Sequence, residues 1–183
     1  MRYPASETAE KHKRILEEAT RLFRERGFSG VSVSEIMKAT GLTHGPFYNH
    51  FASKEELMAE SVAQGFRVTL DGIDESFNSE ESRAQYLDRY LSAKHRDDPG
   101  NGCLMAALAS EVRQEPQVRG PFTANLKAVI EKMASYLTMR GKHSARGESI
   151  RTLASTVGAL VLARAVDDED FSEEILREVR QGL

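Results

Sequence analysis

Residues 31–41 read VSVSEIMKATG and carry a start signal and a stop signal for one very short helix. Ser32 and Glu35 have the Ser-x-x-Glu spacing of a capping box, in which each side chain bonds to the backbone N–H of the other residue. Gly41 stands where a helix end favours a residue in the left-handed conformation. Because both ends are marked, the segment predicts a helix of about two turns.

A second short helix is predicted directly after this one. Thr43 is a candidate N-cap, and Pro46 lies within the first turn, where its missing N–H costs little. This helix is expected to run from about residue 44 to residue 50. Ser53 and Glu56 then repeat the capping-box spacing, which predicts the start of a longer helix.

A longer amphipathic helix precedes the short pair. Residues 8–26 place apolar side chains on one stripe, and Gly27 ends the pattern. Two short helices joined by a glycine turn, after a longer helix, match the helix-turn-helix arrangement. Gly41 takes a positive φ at little cost, so the second helix can cross the first steeply and present its outer face to a DNA major groove. The stripe consists of Ile15, Leu16, Ala19, Leu22 and Phe23.

The second short helix divides its residues between packing and contact. Phe47 and Phe51 are four residues apart and are predicted to pack against the neighbouring helices. A glycine at the helix start would let the backbone approach DNA closely, with its N–H groups facing a phosphate oxygen. The candidates for contact are His44, Gly45, Tyr48 and Asn49.

The stretch VSVSEIMKATGLTHGPFYNHFASKEEL resembles the DNA-binding domain of the TetR family (TetR/AcrR type) of bacterial transcription regulators, and RILEEATRLFRERGFSGVSV resembles that family's first helix and its link. This resemblance covers about residues 10–60. It implies a homodimer on a palindromic operator in double-stranded DNA, with THGPFYNH as the recognition helix. The DNA-contacting residues that it implies, with Gly45 added from the argument above, are Ser32, Thr43, His44, Gly45, Pro46, Tyr48, Asn49, His50 and Lys54.

The candidate contacts would play different parts. Pro46 stands where many family members have Thr, so base reading is expected to fall more on His44 and Asn49. The amide of Asn49 can pair with adenine, whereas Lys54 can anchor the backbone without reading sequence. Each also has a plainer interpretation: His50 can be a hydrogen-bonding helix end, Lys54 a solvated lysine and Tyr48 a packing residue.

The chain as a whole predicts an all-α fold, because no stretch alternates apolar and polar residues as a half-buried strand does. We expect a helix-turn-helix DNA-binding domain over residues 1–54 and a helical domain over residues 55–183.

The first 54 residues hold nine Lys and Arg against six Glu, and the remainder holds 16 basic against 22 acidic residues. A basic module on an acidic body favours a polyanionic partner, although such an excess is also typical of a solvated face. The strongest loop signal is HRDDPGNG, residues 95–102.

The family resemblance implies that the second domain binds an unidentified small-molecule effector. Met and aromatic side chains form adaptable apolar walls, but the same residues are equally typical of an ordinary core. The candidate pocket residues are Phe66, Leu70, Phe77, Tyr86, Tyr90, Met105, Leu108, Phe122, Leu126, Met133 and Tyr136.

The resemblance also implies dimerisation through the last two helices, which could form a four-helix bundle with their symmetry mates. Ala154, Gly158 and Ala165 would allow close approach of helices. The alternative is a core within one chain. The candidate interface residues are Leu153, Val157, Leu160, Val161, Ile175, Leu176 and Val179.

Other classes of function lack their motifs. There is no glycine-rich phosphate loop, no nucleophile elbow and no Cys/His pair with metal spacing, so no catalytic residue, metal or cofactor is expected and an enzyme is disfavoured. The longest apolar run, VGALVLA, is too short to span a bilayer, which with the single Cys103 favours a soluble cytoplasmic protein without a membrane partner. Cys103 could be a redox sensor, but an incidental thiol is the simpler interpretation. The remaining alternative is a helical dimer that binds a ligand or a protein and no DNA.

Overall fold

The computed structural model describes residues 5–43, 45–139 and 144–183, and within these residues the chain is helical without a β-strand. This agrees with the predicted all-α class. The α-helices are α1 (Ala5–Arg26), α2 (Val33–Ala39), α3 (Lys54–Ser76), α4 (Glu80–Tyr90), α5 (Ala93–Asp97), α6 (Leu104–Val112), α7 (Pro116–Met139), α8 (Ala145–Ala165) and α9 (Glu169–Gln181), and a 3-10 helix spans Gly45–Asn49.

The first helix ends as its sequence predicts. Gly27 has φ +74°, and its N–H donates to the carbonyl of Phe23 at 2.8 Å. Glycine is needed here because a left-handed backbone costs other residues about 1–2 kcal/mol. The predicted stripe faces the core: Ile15, Ala19, Leu22 and Phe23 are buried and Leu16 is partly buried.

The second short helix forms where it was predicted, as a 3-10 helix. It forms a 3-10 helix of five residues, and its carboxyl end mixes a bond from His50 N–H to Phe47 O at 2.9 Å with one from Phe51 N–H to the same oxygen at 3.1 Å. A segment this short closes few α-helical bonds, so the tighter 3-10 pattern competes well.

The capping box predicted at the start of α3 is only half formed. The hydroxyl of Ser53 accepts from the N–H of Glu56 at 3.2 Å, as expected for an N-cap. The carboxylate of Glu56, however, accepts from the N–H of Ala52, one residue before the cap. The helix still begins at Lys54, because one good cap suffices to start it.

Helix α3 joins the two predicted domains. Its first half contacts α1, where the hydroxyl of Thr20 donates to Gln64 at 2.9 Å. Its second half packs on α7, where the ammonium of Lys132 donates to Leu70 O at 2.8 Å and to Asp74 Oδ2 at 2.9 Å. One apolar core runs from α1 through α3 to α7. The predicted boundary between residues 54 and 55 therefore divides a continuous core and stays a prediction.

A second apolar cluster joins α4, α8 and α9 around Tyr90, Leu160 and Leu176. Between α4 and α6 the predicted loop is shorter than expected, since α5 occupies Ala93–Asp97. The hydroxyl of Ser92 caps this helix by accepting from the N–H of His95 at 3.2 Å. The loop prediction for residues 95–102 was thus wrong for its first three residues.

Candidate nucleic-acid interface and ligand cavity

The turn between α2 and the 3-10 helix is fixed at both ends of α2. Ser32 and Glu35 form a complete capping box, as predicted. At the other end Gly41 has φ +70°, its N–H donates to Lys38 O at 3.0 Å, and the N–H of Leu42 donates to Met37 O at 2.9 Å. These two bonds define a Schellman motif, which satisfies the last carbonyls of the helix and sets the direction of the following segment.

The 3-10 helix is anchored by its two phenylalanines. Phe47 is 0% and Phe51 is 1% exposed, with ring centroids 5.7 Å apart, so the predicted packing role is confirmed. Tyr48 is 63% exposed and Asn49 is also exposed. One face of this helix is therefore held in the core while the adjacent residues project from the surface.

The other predicted contact residues in this region vary in exposure. Thr43 is exposed, Pro46 is half-buried in the 3-10 helix, and Ser32 is exposed at the start of α2. Gly45 is the first residue of the 3-10 helix. His44 lies outside the described residues. Thr43 and the residues of the 3-10 helix thus follow the α2 turn on one continuous segment.

His50 belongs to an aromatic cluster that joins three elements. His12 of α1 stacks on Phe51 at 4.4 Å, lies 6.1 Å from the ring of His50, and places Nε2 3.0 Å from Glu60 Oε2 of α3. Burial lowers the pKa of His50, and the neighbouring His12 and Lys11 lower it further. His50 is consequently held neutral, and its ring helps to pack the 3-10 helix on α1.

Lys54 is less free than a solvated lysine. Its ammonium donates to Phe28 O at 2.6 Å and lies 6.0 Å from the centre of the Phe23 ring. This contact ties the start of α3 to the turn after α1. An ammonium has three N–H groups, so Lys54 can hold this carbonyl and still donate to a second acceptor.

Much of the basic charge of the first 54 residues is neutralised locally. On α1, Arg21 pairs with Glu18 at 2.5 Å and with Glu25 at 2.6 Å, and Lys11 pairs with Glu7 at 2.8 Å. These pairs neutralise Lys11 and Arg21 but use up Glu side chains as well, so the excess of positive charge in this segment falls on other cations, Arg14, Lys38 and Lys54 among them.

Two exposed cations near the α2 turn were not singled out from the sequence. Arg14 brings Nη2 to within 3.6 Å of where a Cβ on Gly41 would lie, and Lys38 occupies the last turn of α2. A single basic residue on a charged helix gives no sequence signal of this kind, because its position depends on how α1 crosses α2.

Helix α6 is bonded to α1 and to the turn after it. The carboxylate of Glu111 accepts from the N–H of Phe28 at 2.8 Å. It also fills the space beside Gly27, where a Cβ would overlap it. Arg24 of α1 donates to Gly102 O, before the start of α6, at 2.9 Å. Both ends of α6 are thus bonded to α1 or its turn.

The predicted pocket residues do not form one site. Phe66, Phe77, Leu108 and Met133 lie within the tightly packed core, each 3% exposed or less. Leu70 is half-buried, and Tyr136 donates its hydroxyl to Asp74 Oδ1 at 2.8 Å. Sequence alone could not separate these residues from cavity walls, because both are built from the same apolar side chains.

Two groups of the predicted residues do border open space. Phe122, Leu126 and Met105 line an apolar groove of about 210 Å³ between α6, α7 and α8. Tyr86, Tyr90 and Met105 line a larger space around α4 and the start of α6, which we call the α4–α6 cavity. It consists of two adjoining parts of about 410 and 240 Å³ that share Tyr86, Arg89, Tyr90 and His95.

The sequence missed His95 and Arg89 as cavity residues. His95 Nδ1 lies 2.7 Å from Tyr90 O, and His95 Nε2 lies 3.0 Å from the N–H of Cys103. A carbonyl oxygen cannot donate, so Nδ1 carries the proton and Nε2 accepts from Cys103. Burial lowers the pKa of His95, which keeps this neutral form. The position of α5, which was predicted as loop, creates this bridge.

The predicted dimer residues divide into two sets. Leu153, Leu160 and Leu176 are buried within the chain, and therefore contribute to its own core, the alternative that the sequence left open. Val161 is 43% exposed, while Val157, Ile175 and Val179 are half-buried. Ile150, which shares the predicted apolar side of α8, is also exposed. Leu162 and Phe171 are exposed apolar residues of α8 and α9 that the sequence did not single out.

Two kinds of feature are absent from the described part of the chain. No helix there is both long and apolar enough to cross a membrane. Nor do three or more His, Cys, Asp or Glu side chains come together in a way that could hold a metal ion.

Comparison with known proteins matches this geometry. A family model described as bacterial regulatory proteins, tetR family, matches residues 15–61. An uncharacterized HTH-type transcriptional regulator of Mycobacterium tuberculosis is 25% identical over 180 residues, which is 93% of each chain. The HTH-type transcriptional repressor DhaR of Mycobacterium sp. (strain GP1) is 30% identical over 99 residues, or 54% of this chain and 50% of DhaR.

Solved structures share the fold over nearly the whole length. A TetR-family transcriptional regulator from Agrobacterium tumefaciens aligns with a TM-score of 0.79 over 96% of this chain and 98% of that one, at 23% identity. The reduced form of NemR from E. coli aligns with a TM-score of 0.78 over 94% of this chain and 96% of that one, at 22% identity. The amino-terminal match and the relatives of similar length support a TetR-family transcriptional regulator, and the solved structures show that the fold is shared.

Proposed function

We propose that the chain is a transcriptional repressor that binds a palindromic operator as a homodimer and is released by a small-molecule effector. The observation that carries this proposal is the turn fixed at Gly41, followed by a 3-10 helix with Phe47 and Phe51 in the core and Tyr48 and Asn49 exposed. A rigidly held helix with an exposed polar face suits a major groove. DhaR, a relative over half of the chain, is named a repressor.

The proposed contacts have distinct roles. Residues 1–54 form the DNA-binding domain, in which Asn49 and His44 read bases and Tyr48 packs on the sugar-phosphate backbone. Lys54 donates to a phosphate oxygen, and Ser32 lies near the backbone, where its hydroxyl would exchange its bond to Glu35 Oε2 for one to a phosphate. Thr43, Gly45, Pro46 and His50 complete the contact segment, and Arg14 and Lys38 add charge beside it.

The proposed dimer surface is the exposed apolar part of α8 and α9 within residues 55–183. Ile150, Val161, Leu162 and Phe171 are 43–57% exposed. Exposed apolar residues that cluster are typical of subunit interfaces. Pairing of this face around a twofold axis would present two recognition segments, as a palindrome requires.

Release requires that the effector bind one dimer geometry more tightly than another. Two elements can transmit this difference. Helix α3 packs on α1 at one end and on α7 at the other, and α6 bonds to the turn after α1 through Glu111. A small movement of α6 or α3 would therefore change the separation of the two recognition segments.

The experiment is to enrich random DNA fragments on the purified protein and then to measure affinity for the winning sequence at several salt concentrations. We expect an inverted repeat and an affinity that falls steeply with salt. Asn49→Ala should relax base preference at one position of each half-site by about 1–3 kcal/mol, whereas Tyr48→Ala should weaken binding across sequences.

Gln117→Ala is the matched control, because this exposed amide lies on α7, away from the proposed contact segment. Failure to enrich any sequence over random DNA would instead favour a helical ligand-binding or protein-binding dimer without DNA-binding activity. Unchanged binding by both recognition-segment variants would refute the residue assignments.

A further inference from the structure

The α4–α6 cavity is lined by a buried polar group that is poorly satisfied. Tyr90 is 8% exposed, and within the described part of the chain its hydroxyl makes no hydrogen bond of normal geometry and has only a weak interaction with the Cys103 thiol. Burial raises the pKa of Tyr90 well above its ordinary value, so the group stays a phenol and keeps a proton to donate. A poorly satisfied buried hydroxyl is costly, and an acceptor that reaches it recovers this cost. The hydroxyl is covered in this state, so a ligand reaches it by displacing neighbouring side chains.

The surroundings of the cavity carry an excess of positive charge. Arg89 and Lys94 are exposed at its mouth. Of the described lining residues only Asp98 bears a carboxylate, and both of its oxygens accept from the Asn101 amide, at 3.0 and 3.1 Å. A ligand that enters this space therefore meets the cations of Arg89 and Lys94, whereas the carboxylate of Asp98 is already bonded to Asn101.

Arg24 and Arg164 place two further guanidinium groups against the segment that precedes α6. Arg24 donates to the carbonyls of Thr20 and Gly102, and Arg164 donates to those of His95 and Arg96. Among the described residues neither forms an ion pair with a carboxylate. Burial lowers the pKa of both guanidinium groups, which shows that their charge is poorly solvated. Charges of this kind favour an anion nearby.

The smaller part of the cavity has a largely apolar lining. Ile73, Tyr86 and Met105 line it, and His95 offers no free nitrogen, because both of its nitrogens bond to the backbone. The volumes of about 410 and 240 Å³ suit a compact ligand rather than a long one. This lining suits an amphipathic anion, because it combines an apolar wall, a phenol that can donate and exposed cations.

We infer that the effector of this protein is a small monocarboxylate with an apolar or aromatic body, bound in the α4–α6 cavity. Its carboxylate pairs with Arg89 and accepts from the Tyr90 hydroxyl, and its body lies against Tyr86 and Met105. This inference rests on the proposed function and adds to it the cavity and the chemical class of the effector. Because the Tyr90 hydroxyl is covered here, the ligand reaches it only in a geometry in which neighbouring side chains have moved, and it therefore binds that geometry more tightly.

The test measures binding of benzoate and hexanoate to the full-length protein by calorimetry, with benzamide and hexanamide as uncharged probes of similar shape. A charge-assisted hydrogen bond should make each carboxylate bind about ten-fold or more tightly than its amide. Arg89→Gln should weaken carboxylate binding by a similar factor and leave amide binding almost unchanged. Arg89→Lys should restore part of the loss. Tyr90→Phe should weaken carboxylate binding more than amide binding, because the amide carbonyl also accepts from the hydroxyl but carries no charge.

Arg113→Gln is the matched control, because it removes an exposed arginine at the far end of α6, outside the cavity. Tyr90→Phe removes a poorly satisfied hydroxyl and should fold as well as the wild type. Saturation of neither carboxylate at about 10 mM, or equal affinities for acid and amide, would overturn the inference.

Operator affinity of the wild type, measured without probe, separates this inference from the proposed function. Carboxylate binding that depends on Tyr90 and Arg89 in a protein that binds no operator would support the inference and refute the DNA-binding proposal. Operator binding by a protein that ignores both carboxylates would overturn the inference alone.

Discussion

At the scale of single residues, two glycines and one carboxylate set how the first helices of the chain end and pack. Gly27 and Gly41 both have positive φ, and each ends a helix. They differ in their surroundings: Gly41 has only Arg14 at ordinary contact distance, whereas Gly27 is covered by the carboxylate of Glu111, which bonds to Phe28 N–H. Gly27 therefore serves both the helix end and the contact with α6.

Substitution by alanine should separate these two roles. Gly41→Ala is expected to cost about 1–2 kcal/mol of unfolding free energy, from the left-handed backbone alone. Gly27→Ala should cost at least about 1 kcal/mol more, because it also displaces Glu111 and leaves Phe28 N–H without its acceptor. Urea denaturation at one protein concentration measures both. Gly72→Ala, in open space inside α3, is the control and should stabilise by about 0.5–1 kcal/mol. Equal losses at Gly27 and Gly41 would contradict this account.

At the scale of elements, short sequence patterns predicted the helix caps, the helix ends and the packing residues, because neighbouring residues determine them. The caps at Ser32 and Ser53, the glycine ends and the burial of Phe47 and Phe51 all follow from short-range patterns, and the structure has them. The 3-10 form of the second short helix was not predicted, since its sequence suits either helix type. Helix α5 was missed because HRDDPG resembles a loop. The cavity and the exposed part of α8 depend on how helices cross, for which the sequence has no local signal.

The capping box of α2 is testable on its own. Ser32→Ala removes the acceptor of Glu35 N–H and should cost about 1 kcal/mol of stability. Because α2 supports the recognition segment, operator affinity should fall as well. Ser34→Ala, an exposed serine inside the same helix, is the matched control and should be near neutral. Calorimetric unfolding of both variants measures the difference, and an equal effect at the two serines would show that the cap contributes little.

At the scale of the whole molecule, the proposed regulation requires two copies of this chain that act together. One continuous core links the recognition segment to α7, and α8 and α9 carry exposed apolar residues on the far side. The arrangement suits a dimer in which movement of α3 and α6 alters the distance between two DNA-reading segments. A monomer would have no such distance to regulate.

The dimer surface can be tested by placing a charge on it. Leu162→Glu should raise the dimer dissociation constant roughly 100-fold, because a twofold axis buries the new charge twice. Ala84→Glu adds the same charge to an exposed site on α4 and should leave the dimer intact. Analytical ultracentrifugation over a range of concentrations measures both. If the two variants dimerise equally well, Leu162 is not part of the interface.

The central claim is that two recognition segments, fixed relative to each other, read one inverted repeat. The most direct measurement compares the affinity of the wild-type protein for the enriched repeat, for a single half-site, and for the repeat with about five base pairs inserted at its centre, half a helical turn. The account predicts that the insertion lowers affinity to that of the single half-site, because the half-sites then face opposite sides of the duplex. Affinity for the expanded repeat equal to that for the original would contradict it.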